Sequence, residues 1–471
     1  MTNDGLACSA SSCPARPARR SIALRGALCA WLAACAGPAL AWGNHALSTW
    51  PALDGMPELE RLAPVRVESL EAFVSAQAAA LEKLLDEQEE WARQNVQAYP
   101  QRPDALRFTA GGAKDAVELR QRFVAALRIA PESRLTLYLQ RLPGESGGGR
   151  DGERPRLASR DVTTLARDHV VDKATYVALR EGESVAPIAV LATASDEPDY
   201  GLDIGLWADN GTAHGATYGF GKQPFGNPAL EFGTQAPFHM GFYHESPIIY
   251  AAAGFLKRTF PEYRIHLWKT LAGHALRSGH EYWGWRFAGW ALHYLQDLTQ
   301  PYHARVLPDV GTVRMLWINA LHMAGWPGAR NRAVTLVSNR HLALENFHRT
   351  ALIAGYREAA GAGPLTAALA GHGRADDAPA YRDDTPRTVV ARRAADAADA
   401  LDRTIAAALP SRYVDDPGFE FGASEEGIDL NALLRREAPD KREALVRALT
   451  PLMAEYGAQT RAFVRALLPP R

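Results

Sequence analysis

Thiols are scarce in this chain. Its 471 residues include four cysteines, Cys8, Cys13, Cys29 and Cys35, all within the first 41 positions. The remainder therefore has no disulfide framework and no cysteine nucleophile. Positive charge is not in excess either: 52 Lys and Arg stand against 53 Asp and Glu, a net of −1, which argues against holding nucleic acid by bulk electrostatics. Strand-like alternation of apolar and polar residues is rare, and no internal repeat or Walker phosphate loop is visible. What remains is an ordinary globular balance, 47% apolar and 22% charged, on a chain long enough to bury a large core.

The beginning of the chain reads as an export signal over residues 1–41. Arg16, Arg19 and Arg20 are basic, and Gly26 to Pro38 is small and apolar. Ala39-Leu40-Ala41 has the small-x-small form that signal peptidase cuts after. Arg25 and Pro38 leave the apolar run short of the about 20 residues a membrane span needs. Leu32-Ala33-Ala34-Cys35 offers a competing reading, a lipoprotein box with Cys35 as the anchored residue. The first 41 residues hold four Arg and one Asp, so the processed chain has 48 basic and 52 acidic residues and a net charge of −4.

Apolar residues at three- and four-residue steps predict helix over Pro57–Tyr99, about Ala113–Leu127, two helices over Pro247–Gln300, and more over 340–362, 385–409 and 428–468. Residues 161–182 are a further helix candidate. Pro143–Pro155 and 185–233 read as loops, dense in Gly, Asp and Pro. The fold class expected is all-α, a multi-helix bundle with long loops.

One block carries chemistry: His293-Tyr294-Leu295-Gln296-Asp297-Leu298-Thr299-Gln300-Pro301-Tyr302-His303. His293 and Asp297, four apart on a helix, leave one face as neighbours, and Pro301 turns the chain so that His303 can come back toward them. Imidazole and carboxylate in this arrangement suit zinc. His341 and Glu345 repeat the spacing, although one such pair on a helix also occurs as a plain solvated contact. An aromatic helix with Trp283, Trp285, Phe287 and Trp290 has little reason to bury a His and an Asp unless something pairs them.

HYLQDLTQPYH followed by HLALE resembles the zinc-dependent phospholipase C family and its relatives, the single-strand nucleases. In that superfamily the processed chain begins with a Trp whose amino and carbonyl groups bind zinc, and the predicted cut exposes Trp42. The resemblance covers Trp42–His45 and about Asp196–Phe347. It implies one domain over 42–471 around three zinc ions, with 50–190 a helical insertion lacking a family counterpart and 304–340 an insertion at the pocket mouth. It further implies that His293 and Asp297 hold one zinc, that Asp297 bridges to a second held by Trp42 with His45, and that His303, His341 and Glu345 hold the third. Asp199, with Asp196 and Asp203 as competitors, and His239, with His244 as competitor, are the two further ligands it implies. Asp199 would also orient or deprotonate the attacking water, and Tyr200 would face the head group.

The implied activity is hydrolysis of phosphodiesters by an exported enzyme, periplasmic or secreted. A phospholipid such as phosphatidylcholine is favoured as substrate over single-stranded nucleic acid, because Glu345 is the phospholipase residue type and the net charge offers no basic track. No protein partner is indicated. A non-catalytic helical protein tied together by zinc is the reading from another class. The segment between His303 and His341 holds Met315, Leu316, Trp317, Ile318, Leu321, Met323 and Trp326. It reads either as a core helix or, over 314–328, as a surface for the bilayer interface.

Overall fold

The computed structural model describes residues 42–145, 154–166, 173–226, 231–358, 363–371, 378–421 and 427–469. The export signal expected over 1–41, with Cys35, lies outside them, as does most of the loop expected at 143–155. Helix makes up 62% and strand 4%, so the chain is all-α as expected. Among the described residues no helix is long and apolar enough to cross a membrane.

The chain enters through a capped turn. Asn44 accepts a hydrogen bond from Leu47 N at 3.1 Å and starts α1 (His45–Leu53). Ser69 caps α2 (Leu70–Asn95) and Asp115 caps α3 (Ala116–Leu127) in the same way. The stretch 50–190 is not wholly helical, however. A short pair joins β1 (Val65–Arg66) to β5 (Ser184–Val185), and β2 (Tyr138–Arg141), β3 (Arg156–Leu157) and β4 (Thr175–Ala178) form an antiparallel sheet in the order β2-β4-β3. Tyr138 lies opposite Ala178 and Arg156 opposite Val177. The helix expected at 161–182 is thus replaced in part by a strand whose Thr-Tyr-Val run is β-branched and aromatic, with Tyr176 and Val177 buried. Conversely, the loop expected from 185 begins with α4 (Pro187–Ala194), a short apolar helix opened by proline at its first position.

Two helices form the aromatic centre. A turn at 278–280, with Gly279 at φ +83°, folds α6 (Glu281–Asp297) back along α5 (Pro261–Arg277). Every residue of α6 from Tyr282 to Asp297 is buried, and Trp268, Trp283, Phe287 and Trp290 interlock at ring distances of 4.8–6.3 Å. Such a helix buries its whole circumference, so His293 and Asp297 on it face protein and not solvent. A Cβ on Gly289 would stand 2.5 Å from Ala194 Cβ and 2.9 Å from Leu191 O. Glycine at 289 therefore lets α4 lie directly on α6, and this sets where the chain emerges at Ser195.

Pro301 starts a new short helix, α7 (Pro301–Ala304), with the Gln300 side chain accepting from Tyr302 N at 2.7 Å. After it come α8 (Thr312–Met323) and the long α9 (Gly328–Arg357), which bears His341 and Glu345. Two more long helices, α10 (Ala391–Ala408) and α11 (Pro439–Leu467), close the bundle against α7 and α1 respectively.

Candidate metal centre

Three groups of ligand-type side chains gather where α1, α6, α7 and α9 meet the segments after α4 and before α5. They are His45 with His293 and Asp297; Asp199 with His239 and His293; and His303 with His341 and Glu345. All but Asp199 are buried, and its side chain is 15% exposed, which leaves it as the group nearest solvent.

Several of the spacings suit a shared metal better than direct pairing. Ligand atoms around a tetrahedral zinc with bonds of about 2.0–2.2 Å stand roughly 3.3–3.6 Å apart. His45 Nε2 lies 3.3 Å from Asp297 Oδ1, His293 Nε2 lies 3.4 Å from Asp297 Oδ2 and 3.6 Å from Asp199 Oδ1, and His239 Nδ1 lies 3.7 Å from Asp199 Oδ1. His239 Nδ1 is closer to Asp297 Oδ2 and to His293 Nε2, at 2.9 and 3.0 Å. Buried His45 Nε2 and Asp297 Oδ1 face each other without a hydrogen bond. An orphaned imidazole nitrogen and carboxylate oxygen turned to one point are what a bound cation resolves.

Four of the histidines are also held from behind, as metal-binding imidazoles are. His293 Nδ1 lies 2.7 Å from Ser195 O, so Nδ1 carries the proton and Nε2 presents its lone pair to the group. Gln296 donates through Nε2 to Thr49 and Thr460, at 3.0 and 3.1 Å, which turns its oxygen to His45 Nδ1 at 2.9 Å. His303 Nδ1 reaches His239 O at 3.2 Å. His239 Nε2 faces Asp203 Oδ2 at 3.5 Å, and Asp203 is itself fixed by Arg264 and the Tyr294 hydroxyl, both at 2.6 Å. In the third group His341 Nε2 and Glu345 Oε1 are 2.7 Å apart, and Tyr302 stacks on His341 at 5.3 Å.

The open alternatives separate on these contacts. Asp196 borders the cluster without joining it, because its Oδ1 accepts from the backbone N–H groups of His45 and Ala46 and so anchors the first turn of α1. Asp203 stands behind His239, and Asp199 is the carboxylate that faces His239 and His293. His244 points away, with Nε2 2.7 Å from Arg387 O. Trp42 is fully buried beside the motif, its indole Nε1 donating to Thr299 at 2.9 Å and its ring packed against His348. A Cβ on Gly43 would meet Glu345 O at 2.8 Å, so glycine is what lets the segment at Trp42 lie on α9.

Tyr200 needs a correction. It is 5% exposed, its ring is packed edge-on against Tyr176, and its hydroxyl donates to Gln140 at 2.9 Å. A ring so enclosed has no free face for a head group. The residues the sequence reading missed are the supports: Ser195, Gln296, Asp203 in its outer role, Arg264, and Gln235, which donates to Asp199 at 3.0 Å. Of these only Gln296 carried a sequence signal, being three residues after His293 on the same helix face.

Crowded charges tune one another here. Burial disfavours charge on every member, yet hydrogen bonds and charge from Asp203 and Asp297 raise His239 to about 10, and Asp297 with Asp199 and Asp196 raises His45. Burial holds His293 well below its ordinary value and lifts Asp199 to about 7. Asp297, which burial alone would raise, is instead held well below the usual carboxylate range by His293 and His303.

Comparison of the chain with protein-family models, with curated proteins and with solved structures gave no match.

Proposed function

We propose that the chain is an exported zinc-dependent hydrolase of phosphodiesters, with a phospholipid as substrate. The observation that carries this reading is the Asp297 carboxylate, whose two oxygens are turned to two different histidine groups while a third group, His303, His341 and Glu345, sits alongside. A site that only ties helices together uses one closed set of ligands. Three adjoining sets, two of which share His293, suit chemistry on a polyanion.

Trp42 with His45, then His293, Asp297, Asp199 and His239, and finally His303, His341 and Glu345 would hold the ions. When bound, clustered zinc lowers the pKa of water toward neutrality and neutralises charge developing on phosphorus. The chain's own residues supply the rest. Asp199, the group nearest solvent, accepts a proton from the attacking water. Gln235 keeps its Oδ1 oriented. Asp203, locked by Arg264 and Tyr294, fixes the His239 ring, and Gln296 fixes that of His45.

A lipid surface is favoured by the hairpin of α8 and α9. Met315 and Ile318 turn inward, whereas Val313, Leu316, Trp317 and Trp326 are exposed, the two indoles by 63% and 68%. From Val310 to Leu344 the chain has Arg314, Arg330, Arg332 and Arg340 and no carboxylate, in a processed chain whose net charge is negative. Exposed indoles flanked by arginines match the bilayer interface and its anionic lipids.

Single-strand nuclease activity is the alternative, because His45 follows Trp42 by three residues as in that branch. Assaying the processed protein on short-chain phospholipids and on single-stranded DNA decides between them: turnover of lipid with DNA left intact is the expected result, and the reverse assigns the nuclease activity. Mass spectrometry of exported protein should find Trp42 first; a lipid-modified Cys35 there removes the terminal amine as a ligand.

A further inference from the structure

A cavity of about 650 Å³ opens beside the centre, and its lining is strongly cationic. Among the described residues, Arg141, Arg154, Arg156, Lys173, Arg349 and Arg357 line it against one carboxylate, Glu145, and Arg154 also pairs with Glu183 at 3.5 Å. Six cations around one space are unexpected in a processed chain with a net charge of −4. Like charges gathered at one concavity raise its potential and concentrate counter-ions there, so the cavity selects for anions. Arginine, five of these six cations, matches phosphate oxygens in pairs.

Its position ties it to the metal groups. Helix α9 presents Glu345 to the third group, and Arg349, Ile353 and Arg357 follow at four-residue steps on the same face and line the cavity. Arg349 is about 6 Å along the helix from Glu345 at 1.5 Å per residue. On the other wall Asn44, which immediately precedes His45, accepts from Gln140 at 3.1 Å, and both residues line the cavity. The volume is that of a small-molecule site and not of a track for a strand.

We propose that this cavity is a subsite for phosphate groups other than the one hydrolysed, so that the preferred lipid has a phosphorylated, anionic head group and not choline. The lipid source rests on the hydrolase reading; the phosphate affinity of the cavity does not. A quaternary ammonium would meet repulsion here, and the one aromatic residue expected to receive it, Tyr200, is enclosed. Phosphate monoesters meet guanidinium donors on several sides.

The test is calorimetric titration of the zinc-loaded, processed protein with inositol 1,4,5-trisphosphate, repeated on the triple variant Arg156→Gln, Lys173→Gln, Arg357→Gln. All three residues are exposed, so melting temperature should not change. Binding that weakens with salt and drops at least tenfold in the triple variant is expected, with Arg403→Gln, outside the cavity, as an unaffected control. Equal binding by wild type and triple variant, or none by either, overturns the proposal. Displacement of the trisphosphate by a short single-stranded oligonucleotide, with that binding also lost in the triple variant, overturns the head-group assignment in favour of nucleic acid. If the trisphosphate binds as expected and no diester is hydrolysed, the hydrolase reading fails while the anion site stands.

Discussion

Asp297 and His45, far apart in the chain, meet Oδ1 to Nε2 at 3.3 Å, while the other oxygen of Asp297 faces His239 and His293. A carboxylate divided in this way couples two ion positions. Asp297→Asn keeps the size and removes the charge, so two ions should be lost together and turnover should fall by about 100-fold or more, judging from the 10–100-fold typical of outer supports alone. Metal content per chain by mass spectrometry checks this; a variant that keeps three ions and full turnover contradicts it.

Gly289 gives a second handle, because it acts on the centre from outside. Alanine there would put a methyl 2.5 Å from Ala194 Cβ, forcing α4 away from α6. Ser195, which orients His293, and Asp199 follow α4 directly. Overpacking of this kind costs about 1–3 kcal/mol. Gly289→Ala should therefore lower the melting temperature and weaken zinc binding as well. Gly311→Ala, where a Cβ meets nothing within 4 Å, should change neither. Unaltered zinc affinity in Gly289→Ala would show that the α4 contact does not set the site.

Loading the centre must expel protons. Without metal, His239 at about 10 is charged through neutrality and Asp199 at about 7 is protonated below it. Both must give up their protons to become ligands, so affinity rises with pH. At pH 6 about two protons should leave per chain from these two groups, and at pH 8 about one, since Asp199 is by then ionised. Calorimetry of zinc binding in buffers of different ionisation enthalpy measures the release. An enthalpy independent of buffer at pH 6 would be inconsistent with these protonation states.

The exposed indoles predict a split between substrates. Trp317→Ser with Trp326→Ser should lose turnover on vesicles, keep it on a monomeric short-chain lipid, and barely shift the melting temperature, since both rings are already in solvent. Equal losses on both substrates with a large drop in melting temperature belong to a core helix instead.

Much of the centre was legible because its signals are local. The helical spacing of His293 and Asp297, the proline that turns the chain just before His303, and the i,i+4 pair on α9 are each signals confined to a few residues. The choice between Asp196 and Asp199 was not legible, since it depends on which carboxylate meets the backbone of His45, far away in the chain. The same holds for Asp203, whose partners Arg264 and Tyr294 sit on other helices. The strands at 138–178 were hidden for a related reason: runs of two to four residues give too few alternations to outweigh helix-forming neighbours. Tyr200 was misplaced because adjacency to Asp199 in sequence says nothing about which way its ring turns.

Zinc content and diester hydrolysis, followed together on one preparation of processed protein, test the shared centre most directly. Chelation should abolish hydrolysis of a chromogenic phosphodiester, and stepwise zinc addition should restore it as occupancy approaches three ions per chain. Full occupancy with no hydrolysis of this diester, of phospholipid or of single-stranded DNA would contradict a catalytic centre and leave a zinc-stabilised helical protein in its place.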